Sequence, residues 1–458
     1  MFILMPVIFV LGILAIALED KIKINKAAIA LFMAISLWMI LMFDAYDIFV
    51  ERSSPLFQEF LTQNPEMANA PLKDQFITFI TNRSIVYHLG NVSETLFFVM
   101  CSMLIVDIVD KHGGFRAVTG YIRTANKRKL LWYISFAAFF FSALLDNLAA
   151  AIVIMAVLRK LVPDRTDRLK YACMVIIAAN AGGSWSPIGD VTTILLWVGK
   201  NVTAMHQISH VFFPALINLL VPLTIANFWL FKKDATLRVM SEEEMADEYA
   251  PEMPNHSRRV IGVLSLALVP VFQMVTDLPP FLGVLLGLVV LWFYTDIMYS
   301  KLHMHESNKL RISQLLPNID LATIFFFLGI LMAVGALETS GQLGLMSAFL
   351  DKHVHEPYLI SFVIGVLSSC VDNVALVAAT MGMYPIVPDA ANLAPYAQFF
   401  VSDGGFWTFL AYCAVTGATG VTVMGLEKID FMYYTKRFSI LALIGYCCGA
   451  GVYMLLFA

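Results

Sequence analysis

The chain has few charged residues. Asp, Glu, Lys and Arg make up 14% of its 458 residues, whereas apolar residues make up 59%, and the mean hydropathy is +0.76. A soluble domain needs a more polar surface, so the composition excludes a soluble globular protein and indicates a polytopic membrane protein. Strand-length alternation is absent too, and the apolar runs have the length of helices, which excludes an outer-membrane barrel.

Cysteine is also scarce. The 6 cysteines lie in apolar segments without the spacing of a zinc site, so we interpret them as packing residues. The first apolar run, from Phe2, is not preceded by basic residues, which favours a retained helix over a cleaved signal peptide. We expect no cofactor, no nucleic-acid partner and no enzymatic activity.

One short motif occurs twice. The sequence reads Ser-x-x-x-Asp-Asn-(Leu/Val)-Ala over residues 142–149 and 368–375, both times inside a long apolar run. An ionised carboxylate in the membrane costs about 2.5–3.5 kcal/mol on insertion scales. Helix capping does not explain an acid in both copies, because Ser or Asn would cap as well. The two acids, Asp146 and Asp372, are therefore predicted to be functional.

The motif interrupts two apolar segments near their middle, over residues 130–158 and 358–387. We predict that each segment folds as a re-entrant hairpin of two half-helices that meet at a polar tip. Each hairpin is followed by an apolar segment with a glycine-rich middle, over residues 170–199 and 406–434. Glycine and proline disfavour regular helix, so we predict two spans that are unwound at their centres, the first of them from Asn180 to Asp190.

The two halves of the chain follow the same plan. Residues 1–231 form the first predicted repeat, residues 232–259 a cytoplasmic linker and residues 260–458 the second repeat. Each half has five predicted spans and one hairpin, so the second half runs inverted. Most of the 30 Lys and Arg residues then lie on one side, which the positive-inside rule makes cytoplasmic. We predict an all-α protein of two inverted-topology repeats in a bacterial inner membrane, with both termini periplasmic.

The other predicted spans follow from apolar runs of helix length. A long polar connection over residues 44–93, with amphipathic helices near the interface, is predicted between the second and third spans. These other spans are Phe2–Leu18, Ala27–Phe43, Glu94–Val109, His210–Phe231, Val260–Val275, Pro280–Met298, Leu321–Leu337 and Ser439–Leu456.

The interrupted segments are rich in oxygen ligands. They contain three acids, Asp146, Asp190 and Asp372, and the motifs hold no Lys or Arg. Carboxylate, amide and hydroxyl oxygens suit a small hard cation. A carboxylate that holds either a proton or a sodium ion gives exchange directly, because the two ions compete. The candidate ligands are Ser142, Asp146, Asn147, Asn180, Asp190, Thr192 and Thr193 in the first half, and Ser368, Asp372, Asn373, Thr416 and Thr419 in the second.

The two Asp-Asn tips and the stretch Asn-Ala-Gly-Gly-Ser-Trp-Ser-Pro-Ile-Gly-Asp-Val-Thr-Thr over residues 180–193 closely resemble the NhaD-type sodium/proton antiporters. These belong to the ion transporter superfamily, with the INDY-type dicarboxylate carriers, NhaB and the arsenite transporters. The resemblance implies a homodimer with a scaffold domain at the interface and a transport domain that holds the hairpins. The functional positions of the family fall here on Asp146, Asn147, Asn180, Asp190, Thr192, Thr193, Ser368, Asn373 and Glu94.

The sequence therefore predicts an antiporter that exchanges cytoplasmic Na⁺ or Li⁺ for external H⁺ by alternating access in the lipid bilayer. Asp146 is the expected main titrating ligand. A Na⁺-coupled carrier of di- or tricarboxylates or arsenite is the alternative, although dicarboxylate carriers have Ser-Asn-Thr where this chain has Asp-Asn. An intramembrane aspartyl protease is a remote alternative. Sodium is expected at two sets of residues, Asp146, Asn147 and Asn180 in the first half and Asn373, Ser368 and Thr419 in the second.

Overall fold

The computed structural model gives an all-helical, polytopic protein in the part of the chain that it describes. Seven helical segments there are long and apolar enough to cross a membrane. The predicted linker and the predicted span Val260–Val275, apart from residues 272 and 275, lie outside the described residues. These residues are 2–52, 54–111, 124, 126–145, 147–230, 272, 275–276, 278–300, 316–369, 373–388, 393–417, 433–434 and 437–458.

The N-terminal part begins with an apolar helical pair, α1 (Leu4–Ala17) and α3 (Lys26–Phe43), joined through the short helix α2 (Glu19–Ile22). The Asn25 side chain caps α3 by accepting a hydrogen bond from the Ala27 amide at 2.8 Å. Both helices match the predicted first and second spans within a few residues.

The connection to the third span is helical throughout most of its length. It contains α4 (Pro55–Gln63), α5 (Pro65–Ala68), α6 (Leu72–Ile77) and two π-helices, Asp47–Glu51 and Thr78–Ile85. Five phenylalanines from these helices pack ring against ring, with centroids 5.1–6.4 Å apart. These aromatic contacts hold the short helices together. The five are Phe49, Phe57, Phe60, Phe76 and Phe79.

The third span begins earlier than predicted. Helix α7 runs from Val86 to Lys111, and it follows the preceding helix and π-helix to give a continuous spanning candidate, Leu72–Ile105. The predicted start at Glu94 is wrong because the polar residues before it pack against another helix. His88 lies against Gly335, where an added Cβ would be 2.7 Å from the imidazole Cγ.

The first hairpin region folds as two helices that meet at the predicted tip. Helix α8 (Lys127–Leu145) and helix α9 (Asn147–Leu161) flank Asp146, which lies outside the described residues. The two helices pack on each other and on α10 (Arg165–Ser184). This is the packing that a helical hairpin requires.

The interruption that follows is shorter than predicted. Helix α10 continues through Gly182 and Gly183 to Ser184, and the next helix, α11, spans Val191–Val198. The predicted unwinding from Asn180 is wrong because Gly182 serves close packing. A Cβ there would lie 2.0 Å from the Phe139 carbonyl oxygen on α8.

Helix α12 (Ala204–Trp229) closes the first half, and it begins six residues before the predicted His210 because Thr203 caps it. The second half contains α13 to α19. Among them, α16 and α17 flank the second Asp-Asn tip, of which residues 370–372 lie outside the described part. The bounds are Pro280–Ser300, Leu321–Thr339, Gln342–His353, Pro357–Leu367, Asn373–Met383, Gly405–Thr416 and Ser439–Phe457, with 3₁₀ turns at Leu316–Asn318 and Ala397–Phe400.

The helices of the second half end before one predicted boundary and at another. Helix α17 ends at Met383, four residues before the predicted end of the hairpin at Val387. Helix α18 ends at Thr416, where the second interruption is predicted to begin. The residues that follow from 418 to 432 lie outside the described part, so the unwinding there stays a prediction.

Two clusters of buried apolar side chains divide the described helices. The first joins α3, α7, α14 and α17, and the second joins α8, α10, α12 and α19. Helix α18 contributes to both, through Trp407 on one side and Tyr412 on the other.

Candidate functional site

Asp190 lies at the centre of a buried polar cluster. Its carboxylate Oδ1 accepts hydrogen bonds from the Thr192 amide at 2.8 Å and from the Thr192 hydroxyl at 2.6 Å. In return, the Thr193 hydroxyl accepts a hydrogen bond from the Asp190 amide at 3.2 Å. This capping box fixes the carboxylate at the N-terminus of α11, where the helix dipole favours negative charge, and leaves Asp190 only 4% exposed.

Two asparagines reach the same carboxylate from the two halves of the chain. Asn147 Nδ2 donates to Asp190 Oδ2 at 2.5 Å, and Asn373 Nδ2 donates to Oδ1 at 3.3 Å. Asn147 begins α9 and Asn373 begins α17, so the second helices of both hairpin regions start at Asp190. Asn180 joins them, because its Oδ1 lies 3.4 Å from Asn147 Nδ2.

The predicted hydroxyl ligands divide into two groups. The threonines next to Asp190 belong to the cluster, as described above. Ser368 and Thr416 instead bond to backbone carbonyls, with Ser368 Oγ 2.7 Å from the Gly365 oxygen and Thr416 donating to the Tyr412 oxygen at 2.7 Å.

Ser142 is fully buried, and its hydroxyl has no hydrogen-bond partner among the described residues. It lies against Gly183, where an added Cβ would be 3.2 Å from the Ser142 oxygen and 2.5 Å from the carbonyl oxygen of Gly189, the residue before Asp190. A buried hydroxyl in this state is able to accept a ligand.

Of the four remaining predicted residues, the structure describes Glu94 alone. Glu94 is partly buried on α7, and no hydrogen bond within the described part of the chain joins it to Asp190. Asp146, Asp372 and Thr419 lie outside the described residues. The sequence places the two acids directly before Asn147 and Asn373.

The donor chemistry of the cluster is that of a site for a hard cation or a proton. It supplies a carboxylate, amides and hydroxyls. No group of three His, Cys, Asp or Glu side chains that could hold a metal ion occurs in the residues described. Oxygen ligands suit an alkali cation better than a soft transition metal.

The comparisons with known proteins all point to membrane transporters. The model of a citrate transporter family matches residues 7–402. Sodium/proton antiporter 1 of Arabidopsis thaliana is 38% identical over 463 residues, which cover 98% of this chain and 72% of the relative. Sodium/proton antiporter 2 of the same plant is 35% identical over 462 residues, which cover 98% of each chain. The chain belongs to the citrate transporter family that this model describes. Within the ion transporter superfamily it is an NhaD-type member.

A bacterial relative extends the comparison. The Na⁺/H⁺ antiporter NhaD of Vibrio cholerae is 26% identical over 407 residues, which cover 83% of this chain and 81% of the relative. The names of these relatives support Na⁺/H⁺ exchange for the NhaD-type members at the level of the family.

Sequence reasoning missed a residue that holds the interruption of this NhaD-type chain in shape. Gln207 on α12 is fully buried, and its Nε2 donates to the carbonyl oxygens of Ser184 at 3.0 Å and Ser186 at 3.2 Å. These carbonyls lie where α10 ends and the non-helical stretch begins. A single buried amide in the first turn of an apolar helix was the available signal.

A second missed contact joins the two halves of the NhaD-type fold. The Asp403 carboxylate, before α18, accepts hydrogen bonds from the Thr203 amide at 2.5 Å and the Thr203 hydroxyl at 2.9 Å. The Asp403 amide donates to the Asn201 carbonyl oxygen at 2.9 Å. We call this contact between residues 201–203 and 403 the loop clasp. It ties the end of the first interrupted segment to the beginning of the second.

An ion-pair cluster outside the spanning part fixes the first hairpin region at its other end. Asp167, near the start of α10, pairs with Lys127 on α8 and with Lys170, the latter at 3.0 Å. Burial by itself raises the pKa of Asp167, but the hydrogen bonds and positive charges of the two lysines outweigh burial and hold this pKa below its usual range.

Proposed function

We propose that this chain exchanges cytoplasmic Na⁺ or Li⁺ for external H⁺ by alternating access, with the ions competing at intramembrane carboxylates. One observation carries the proposal. The Asp190 carboxylate is hydrogen-bonded by Asn147 from the first hairpin region and by Asn373 from the second. A single acid held by both halves suits a site at the interface of two repeats, as in secondary transporters.

The chemistry of exchange follows from the charge of the carboxylates. A deprotonated carboxylate attracts Na⁺, and protonation removes the charge that holds the metal. In this proposal Asp146 is the main titrating ligand, and Asn147, Asn180 and the Ser142 hydroxyl complete the first site. Asp190 orients the two asparagines and adds negative charge.

The second half supplies the counterpart of this site. In the proposal Asp372 and Asn373 act there with Ser368, Thr416 and Thr419. Ser368 and Thr416 bond to backbone oxygens in the described arrangement, so their hydroxyl oxygens keep lone pairs for a cation. Glu94 is the proposed acid at the outer mouth.

The exchange is tested in purified protein reconstituted into liposomes with a pH-sensitive dye inside. NaCl or LiCl added outside is expected to drive proton movement in the wild type, and KCl is expected to drive none. Asp146→Asn and Asp190→Asn are expected to lose the signal. The control is Glu356→Gln, because Glu356 is an exposed acid before α16. Wild-type exchange in Asp146→Asn would refute the assignment of the titrating ligand.

A second candidate function has an observation of its own, which is the description of the matching family as citrate transporters. Under this alternative the chain carries citrate or a related anion together with Na⁺. The buried Asp190 carboxylate opposes an anion at the same place. Uptake of labelled citrate driven by Na⁺, without proton movement, would establish the anion carrier and displace the antiporter.

We also propose a homodimer in a bacterial inner membrane with both termini periplasmic. The resemblance to NhaD-type antiporters supports the dimer, and the distribution of Lys and Arg supports the orientation. Light scattering of the detergent-solubilised protein tests the dimer. Labelling of single cysteines at the two termini with a membrane-impermeant reagent in intact cells tests the orientation.

A further inference from the structure

Helix α14 carries a carboxylate that the Asp190 cluster does not use. Glu338, in the last turn, is the only Asp, Glu, Lys or Arg in the sequence of α14, and the side chain is partly buried. An ionisable residue in an apolar spanning helix is costly and usually has a function. Among the described residues, no ion pair or hydrogen bond involves this carboxylate.

The Glu338 carboxylate lies against the second hairpin region. An added Cβ at Gly382 on α17 would be 3.5 Å from Glu338 Oε2. Helix α17 is the one that begins with Asn373, nine residues before Gly382 and so about 13 Å away along the helix axis. One end of α17 therefore contacts Asp190 and the other end contacts Glu338.

The groups around Glu338 include one imidazole close by. His88 Nε2 lies 3.1 Å from the Thr339 hydroxyl, which itself donates to the Gly335 oxygen at 2.8 Å, so Nε2 is the donor to Thr339. His88 thus contacts α14 on both sides of Glu338 in sequence. The elements packed against α14 carry further titratable or charged groups, although the sequences of α1 and α17 contain none. These groups are Lys26 and Asp44 with α3, Arg83, Tyr87, His88, Glu94, Cys101, Asp107, Asp110 and Lys111 in the segment 78–111, and Asp351, Lys352 and His353 on α15.

We propose that Glu338 is a second proton-binding residue, whose protonation lets α17 rest against α14 and whose ionisation separates the two helices. The physical reason is desolvation. An ionised carboxylate without a cationic partner is costly between two apolar helices, whereas the protonated form is neutral. At Gly382 the carboxylate lies at ordinary contact distance, beside the Leu343 side chain of α15, whose Cδ1 would be 2.5 Å from an added Cβ. The functional role of this protonation switch rests on the proposed exchange, because a movement of α17 would also move Asn373, which bonds to Asp190.

The proposal is tested by measuring the separation of the helices rather than transport. Spin labels are placed at Phe325→Cys on α14 and Ile386→Cys just after α17, positions that are 48% and 37% exposed. The six native cysteines are first replaced by alanine, and labelled protein is diluted with unlabelled protein. Without Na⁺, distances measured by double electron–electron resonance are expected to become longer between about pH 6 and about pH 9.

Four variants decide the outcome. E338Q is expected to keep the short distance at both pH values, E338D to retain the shift because it keeps a carboxylate, and the exposed-site control E356Q to behave like the wild type. An unchanged distance in the wild type, or a full shift in E338Q, would overturn the proposal. The proposal would also fail if His88→Gln lost the pH-dependent change in distance while E338Q retained it. The imidazole would then be the titrating group. A failed exchange assay would leave these distances unaffected and would count against the proposed function alone.

Discussion

Asp190 differs from an ordinary helix cap in the number of donors that surround it. An N-cap carboxylate usually serves the free amides of its own helix. Here the carboxylate also accepts from Asn147 and Asn373, which begin two other helices. Hydrogen bonds to a charged group contribute about 1.5–3 kcal/mol each. The Asp190 carboxylate therefore holds the N-termini of α9, α11 and α17 together.

The two asparagines are expected to contribute unequally. The Asn147 hydrogen bond is 2.5 Å long and the Asn373 hydrogen bond 3.3 Å, and the shorter bond is the stronger one. Asn147→Ala is expected to raise the apparent KM for Na⁺ by roughly tenfold or more, and Asn373→Ala by less. Sodium titrations of exchange in liposomes measure both, with Ser347→Ala on α15 as the control. Equal effects would show that the hydrogen-bond lengths do not set the contributions.

The Asp167 ion pairs predict a stability that depends on pH. Because the lysines hold the folded-state pKa below the unfolded-state value, the pairs stabilise the fold fully above the ordinary Asp pKa of about 3.9. This contribution is lost as the pH falls through the lower folded-state pKa. The difference in melting temperature between the wild type and Asp167→Asn is thus expected to be largest near neutral pH and to shrink below about pH 4. Thermal unfolding of detergent-solubilised protein tests this, and a constant difference would contradict it.

At the scale of the helices, glycines pack the interrupted segments onto the hairpin regions in both halves. Gly182 on α10 approaches the Phe139 oxygen on α8, and Gly417 after α18 approaches the Gly365 oxygen on α16, where an added Cβ would be 1.8 Å away. The matching contacts support the proposed repeat. In each half the backbone itself forms the contact, so the distance between the helices is set without side chains.

Gly182→Ala is expected to destabilise the protein strongly. The Cβ would meet a carbonyl oxygen at 2.0 Å, and backbone atoms cannot move aside as a flexible side chain does. Overpacking typically costs about 1–3 kcal/mol, and this contact lies at the upper end or beyond. Gly90→Ala is the matched control, because nothing lies within 4 Å of its added Cβ. Similar melting temperatures for the two variants would argue against the close packing of α8 and α10.

These glycines also show why part of the fold could not be predicted from the sequence. An Asp-Asn pair inside an apolar run marks a helix boundary, and the helices do end at Leu145 and begin at Asn147. A glycine pair marks either an unwound turn or a close approach of two helices, and local sequence does not distinguish them. The prediction took Gly182 for unwinding, whereas it packs inside a helix.

The candidate site was predictable to a similar degree. Asn147, Asn180 and Asp190 lie in the two interrupted segments, so their meeting follows from the hairpin and the broken span. Gln207 gave only the weak signal of an amide in an apolar helix, and the Asp403 of the loop clasp gave none, because each acts through a contact with residues distant in sequence. The roles of Asp146, Asp372 and Thr419 stay predictions.

At the scale of the whole molecule, the loop clasp bears on which parts move together. It joins the end of the first interrupted segment to the beginning of the second through Thr203 and Asp403. The Asp190 cluster joins the hairpin regions of the same two halves. The two halves of the site are therefore joined in two places, at the loop clasp and at the Asp190 carboxylate. These two connections favour motion of both half-sites as one body during alternating access.

A covalent bridge across the clasp tests this motion. In a cysteine-free background, Thr203→Cys and Asp403→Cys are linked with a short thiosulfonate crosslinker, and exchange is measured before and after reduction. If the two half-sites move as one body, the bridge connects parts that keep their distance, so exchange is expected to continue at nearly the unlinked rate. If they move against each other, the bridge stops exchange and reduction restores it. That reversible block would contradict the single-body motion and would place the moving boundary between the two repeats.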